Sequence, residues 1–108
     1  MSDFKIKQGD ELPVLDVTLV NADGTALNLT TATGVDFRMR LPGETAYRVN
    51  AAGSILVAAS GTVRYEWAAG DTDVAGQYDA EFVATFSGAR TLTAPTCGCF
   101  TVTVEPLC

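Results

Sequence analysis

Apolar and polar side chains alternate along most of this chain, in short runs separated by turn residues. "FKIK" sets Phe4 and Ile6 against Lys5 and Lys7 before Gly9-Asp10 breaks the pattern, which predicts a short edge strand. "LPVLDVTLV" puts Leu15, Val17 and Leu19 in period two, with Pro13 where a strand begins and no central ladder bond is lost. That run stops at "NADG", Asn21 to Gly24, a turn sequence whose Asn, Asp and Gly all tolerate the left-handed conformation. "ALNLT" then places Leu27 and Leu29 on one face. "GVDFRMRL" is the clearest strand of the first half: Val35, Phe37, Met39 and Leu41 alternate with Asp36, Arg38 and Arg40 and end at Pro42-Gly43.

In the second half, "TAYRV" reads as a short partner strand. "AAGSILVAAS" is ambiguous, because Ile55, Leu56 and Val57 are contiguous and their Ala-rich neighbours suit a helix as well as a buried strand. We favour strand or irregular structure there, and expect an apolar run such as Ile55 to Ala59 in the core rather than at an interface. "TVRYEW" sets Val63, Tyr65 and Trp67 on one face, and "QYDAEFVATF" does the same with Tyr78, Ala80, Phe82, Ala84 and Phe86. "SGAR" turns the chain and "CFTVTV" closes it with Phe100, Val102 and Val104 in register. Seven or eight short strands, with turn signals at roughly 8–12-residue spacing and no useful amphipathic helix, predict an all-β sandwich or barrel.

A length of 108 residues suits one domain, residues 1–108, with its core over about 4–104 and "EPLC" as a short tail. At 47% hydrophobic and 19% charged the chain is too apolar to remain disordered. The net charge is −6, and the seven basic residues are scattered, so phosphate neutralisation by clustered Lys and Arg is disfavoured and no nucleic-acid partner is expected. No window approaches the roughly 18 apolar residues that would span a bilayer, and "MSDFKIKQGD" lacks the apolar segment of a signal peptide. The expectation is synthesis in the cytoplasm, with no membrane partner.

Chemistry has few candidates. The chain contains no His, so the usual general base for a Ser or Cys nucleophile is missing, and "GDTDVAG" lacks the Lys of a phosphate-cradling loop. Asp71, Asp73 and Asp79, with Glu66 and Glu81 nearby, lack the ligand spacing of a calcium loop, and the strand pattern turns Glu66, Asp79 and Glu81 outward. We therefore expect no catalytic set, no cofactor and no metal. Cys97, Cys99 and Cys108 are odd in number and bunched near one end, unlike a secreted disulfide framework. They are free thiols, inter-subunit cross-links or, with a carboxylate or a second subunit completing the set, metal ligands.

"GTVRYEWAAGDTDVAGQYDAEF", residues 61–82, is the most regular stretch. Trp67 ends one run, a loop follows, and Gly76, Tyr78 and Ala80 occupy alternate positions of the next. This is similar to the tyrosine corner of immunoglobulin-like sandwiches, where a Tyr bonds back to upstream backbone. Asp71 and Thr72 fit it as side chains that cap loop amides. Ala80 stands where antibody domains carry their second cysteine, so packing around Trp67, Tyr78, Phe82 and Phe37 must replace the inter-sheet disulfide.

This stretch and three further segments carry a family resemblance. "IKQGDELPVLDVTLVNADGTALNLT" resembles the opening of the immunoglobulin-like domain at the N-terminus of tailed-phage upper baseplate proteins, with its lysine-x-glycine-aspartate start, D-G turn and L-T step. "VDFRMR" is similar to that family's central strand, "GTVRYEWAAGDTDVAGQYDAEFVATF" to its most characteristic segment, and "TLTAPTCGCFTVTV" to its closing step. The Cys97 and Cys99 pair departs from the family. The resemblance, over about residues 4–104, implies an immunoglobulin-like antiparallel β-sandwich of seven to eight strands without an inter-sheet disulfide. It further implies a non-enzymatic structural protein of a tailed-phage virion, associated with the tail or baseplate, homo-oligomeric in the particle and in contact with other virion proteins. Capsid decoration or head completion is the second reading. A carbohydrate-binding adhesion module is a third, for which Tyr47 is the only aromatic not turned inward. "SDFKIKQ", "NAAGSILVAAS" and "EPLC" are the candidate contact regions.

Overall fold

A computed structural model describes residues 4–21, 23–88, 90–94 and 100–107. Among the described residues, nine strands form two sheets: β1 (Phe4–Lys7), β2 (Leu15–Thr18), β3 (Ala32–Arg40), β4 (Val49–Ala52), β5 (Ser54–Val57), β6 (Thr62–Tyr65), β7 (Gly76–Phe86), β8 (Arg90–Ala94) and β9 (Phe100–Glu105). The larger sheet runs β1-β9-β7-β3-β4, with β8 also paired to β7, and the smaller runs β2-β6-β5. With β2, β6 and β5 in one layer and β3, β7 and the closing strands in the other, this is the strand distribution of an immunoglobulin-like sandwich.

The strand count exceeds the expected seven to eight because the last strand is split. β8 pairs with Phe82 to Phe86 and β9 with Gly76 to Ala80, both antiparallel, on the edge of β7 that β3 does not occupy. Nor is the fold wholly antiparallel, since β1 lies parallel to β9 from Phe4↔Val102 to Lys7↔Glu105. The partner strand foreseen in "TAYRV" is displaced: β4 starts at Val49, and Tyr47 belongs to the loop before it. Cys97, Cys99 and Cys108 lie outside the described residues.

The period-two runs bury the faces that the pattern indicates. Val35, Phe37 and Met39 of β3, Tyr78, Ala80, Phe82 and Ala84 of β7, and Phe100, Val102 and Val104 of β9 face Leu15, Val63, Tyr65 and Trp67 from the other layer. Phe37 is the hub, with ring centroids 4.6 Å from Tyr65, 5.1 Å from Phe82 and 5.6 Å from Trp67. Stacked, tilted and edge-on aromatic pairs of this kind add to the stabilisation from burial itself. Packing thus joins the sheets where antibody domains use a disulfide. Val83 is the exception to alternation: it points away from the core, yet is buried on central β7 between β3 and β8.

Leu27 and Leu29 are buried without a strand to carry them. The Leu27 amide donates to the Leu19 carbonyl at 2.9 Å and the Leu29 amide to the Ala58 carbonyl at 2.7 Å, stitching this segment onto the smaller layer. Gly61 makes that approach possible: at φ +71°, a Cβ there would stand 2.5 Å from the Leu27 carbonyl oxygen and 2.8 Å from that of Leu19.

The run Ile55 to Ala59, expected in the core, only packs against it through Ile55 and Ala58, and segment 50–60 as a whole contributes no fully buried residue. It forms the end of β4, then Gly53, β5 and a single 3₁₀ turn at Ala58–Ser60. β4 is an edge of the larger sheet and β5 an edge of the smaller, so one stretch of chain edges both layers.

Candidate interaction surface

The loop between β6 and β7 is held by side chains that the sequence singles out. Asp71 accepts two hydrogen bonds on Oδ2, from the Ala68 amide at 2.9 Å and from the Tyr65 hydroxyl in a very short contact. Burial first, and the Asp71 carboxylate second, push the Tyr65 phenol well above its usual pKa. The Tyr78 hydroxyl donates to the Val74 carbonyl four residues upstream, at 2.7 Å. Gly76 opens β7 at φ +152°, close to the Leu41 side chain.

Thr72 works differently from an amide cap. Buried, it donates from its hydroxyl to the Asp10 carbonyl at 2.7 Å, and its own carbonyl accepts the Gly9 amide at 3.0 Å. Gln8 adds Nε2 to the Asp73 carbonyl at 2.7 Å and its amide to the Glu105 carbonyl at 2.8 Å. The β1–β2 connection is thereby laid across the β6–β7 loop beside the end of β9. The two side-chain bonds, Thr72 to Asp10 and Gln8 to Asp73, cross 62 and 65 positions of sequence, which explains why residue pattern alone misses them.

Arg48 ties in the β3–β4 loop by donating from Nη2 to the Gly70 carbonyl at 2.9 Å. Between the two loops lies an open cleft of about 280 Å³, lined by Leu41, Glu44, Tyr47, Arg48, Val74 and Tyr78. Tyr47 is exposed, and the Arg38 and Arg40 guanidinium carbons each sit 5.5 Å from its ring centroid, within cation–π range. Arg38 Nε is buried without an acceptor among the described residues, and so is the indole N–H of Trp67. The signal for this cleft was present but weak: Tyr47 stood out only as an aromatic off the inward faces.

A second surface runs along β5. Leu56 and Val57 are 42% and 50% exposed, while Ile55 and Ala58 pack against the core. The outer backbone edge of β5 has no partner strand among the described residues, and through Gly53 it adjoins the β4 edge.

Among the described residues no group of three or more His, Cys, Asp or Glu could hold a metal ion. Glu66 is exposed and Asp79 and Glu81 half-buried. Arg64 Nε pairs with Asp16 Oδ1 at 2.7 Å and so bridges β2 and β6 on the outer face of the smaller sheet. The Arg64 hydrogen bond holds the Asp16 carboxyl below the usual carboxylate range, and that carboxylate raises Arg64. Asp23 is lowered likewise, chiefly by the Thr25 hydroxyl.

Neither a scan against protein-family models nor a search of the curated proteins finds a match to this chain.

Proposed function

We propose that this chain is a non-enzymatic structural component of a tailed-phage particle, an immunoglobulin-like module at the tail or baseplate that holds neighbouring proteins together. The segments around "VDFRMR" and "GTVRYEWAAGDTDVAGQYDAEF" support the phage assignment by resemblance. The observation that carries the adhesive role is the adjoining pair of sheet edges at β4 and β5, with Leu56 and Val57 exposed beside them. An unpaired edge offers a row of backbone donors and acceptors to an added strand, and apolar side chains next to it supply burial on docking. Natural sandwiches usually blunt such edges with charge or proline, and "SILV" contains neither.

The test is the copy number of this protein in purified particles, measured by quantitative mass spectrometry against the major capsid protein. A ratio far below parity is the result expected of a tail or baseplate fitting. A ratio near parity, or near one per capsomer, moves the protein to the shell as a decoration, and absence from the particle discards the virion reading.

A further inference from the structure

Seven large hydrophobic side chains are exposed among the described residues, and five of them belong to one end of the sandwich. Leu12 lies in the β1–β2 connection, Leu41 and Tyr47 in the β3–β4 loop, Val74 in the β6–β7 loop, and Leu107 just past β9. The pairings bring these segments together: Arg40 lies opposite Asp79 near the start of β7, and Val104 lies opposite Gly76. Thr72 to Asp10, Gln8 to Asp73 and Arg48 to Gly70 bind the three loops to one another. A shared apolar end rimmed by polar groups marks an interaction site far more often than scattered exposed leucines do.

The rim is acidic. Across the three loops, residues 8–14, 41–48 and 66–75, the exposed charged side chains are the carboxylates of Asp10, Glu11, Glu44, Glu66 and Asp73 against the guanidinium of Arg48, while Arg38 and Arg40, beside the Tyr47 ring, stand on β3 opposite Glu81 and Asp79 of β7. Arg48 is already engaged with the Gly70 carbonyl. An acidic rim attracts a basic partner and repels an acidic one. A second copy of this chain, at net charge −6, would bring like charges together, and anionic lipid or nucleic acid would be repelled in the same way.

The hollow at the centre of this end sets the size of the anchor. The cleft between Leu41, Tyr47 and Val74 is about 280 Å³, and a cavity of about 150 Å³ already accepts a benzene molecule. One aromatic side chain, or an aromatic with an aliphatic neighbour, fits. The larger hollow at the opposite end, about 640 Å³, is lined by Thr31, Phe86, Ser87, Gly88, Arg90 and Thr91, so its one large apolar side chain sits among hydroxyls and a guanidinium.

We propose that this end docks a segment of a neighbouring protein carrying one or two large apolar side chains flanked by lysines or arginines. The apolar anchors enter the cleft between Leu41, Tyr47 and Val74, and the flanking cations face Glu44, Asp73, Asp10 and Glu11. The site stands apart from the β4–β5 edge. It rests on the assembly reading only in taking a protein as its partner.

Three dye-labelled synthetic peptides test it by fluorescence anisotropy with the full chain: a Phe-Leu core flanked by two lysines on each side, the same core flanked by glutamates, and the lysine peptide with Ser-Ser as its core. The lysine-flanked Phe-Leu peptide is expected to bind at least about tenfold more tightly than the other two, a discrimination of about 1.4 kcal/mol. Its affinity should fall as NaCl rises from about 50 to about 500 mM. It should also fall about tenfold in the Leu41→Ser/Val74→Ser variant. If that variant fails a thermal melt, the single rim change Glu44→Lys reads the same surface and must weaken binding. No binding, equal binding of the glutamate peptide, or indifference to the variants that fold overturns the proposal. Failure here with the protein present in particles removes this surface alone; peptide binding with the protein absent from particles removes the virion reading alone.

Discussion

Asp71 does two jobs with one oxygen: it satisfies the Ala68 amide and fixes the hydroxyl of buried Tyr65. Removing an acceptor from a buried donor costs more than a hydrogen bond contributes on average, because the orphaned group has given up water as well. Asp71→Ala should therefore lower stability by about 2 kcal/mol, or roughly 10 °C in Tm for a domain of this size. Thermal melting followed by near-ultraviolet dichroism of Tyr65 and Trp67 checks it, and an unchanged Tm would show that Asp71 does not hold the loop. The residue was visible in the sequence as a polar position just after an aromatic run. Its bond to Tyr65 was not, because a loop must first fold back over the strand that precedes it.

Strand β2 forms an edge of the smaller layer with only four residues, and its Asp16 is clamped to Arg64 of β6 directly opposite. The clamp is exposed, so its effect is modest and screened by salt. Its sign is set by linkage: the native carboxyl titrates below the unfolded one, so its contribution is complete above the ordinary carboxylate range. That contribution disappears as the pH falls through the lowered native value. Asp16→Asn should lower urea midpoints slightly at neutral pH and leave a flatter decline between about pH 5 and 2 than the parent shows. Parallel acid-range slopes for the two proteins would mean that the pair contributes nothing. The charges of Asp16 and Arg64 read from the sequence as outward-facing positions, but their pairing depends on the strand register.

Phe37 unites the two layers, since its ring meets Tyr65 and Trp67 from one side and Phe82 from its own sheet. Phe37→Ala should cost about 3–5 kcal/mol by removing buried area and leaving a cavity that rigid β-layers close poorly. Domains of this size have only about 5–15 kcal/mol to lose. The expected result is a large fall in the denaturant midpoint or outright failure to fold, and a loss under about 1 kcal/mol would mean that the hub lies elsewhere. At this level the molecule also separates its tasks. The aromatic core joins the two sheets, and the β4–β5 edge and the apolar end lie outside it.

Period-two alternation was enough to read the inward faces of β3, β6, β7 and β9, because in a strand each side chain's face follows from its own neighbours in sequence. The absence of His and the scatter of basic residues were equally plain from composition. What alternation does not carry is which strands lie side by side. The parallel seat of β1 on β9, the division of the last strand into β8 and β9, and the outward fate of "SILV" all follow from pairing between distant segments. The apolar end has the same origin. Leu12, Leu41, Val74 and Leu107 lie far apart along the chain, and only long-range packing brings their four segments to the same end of the sandwich.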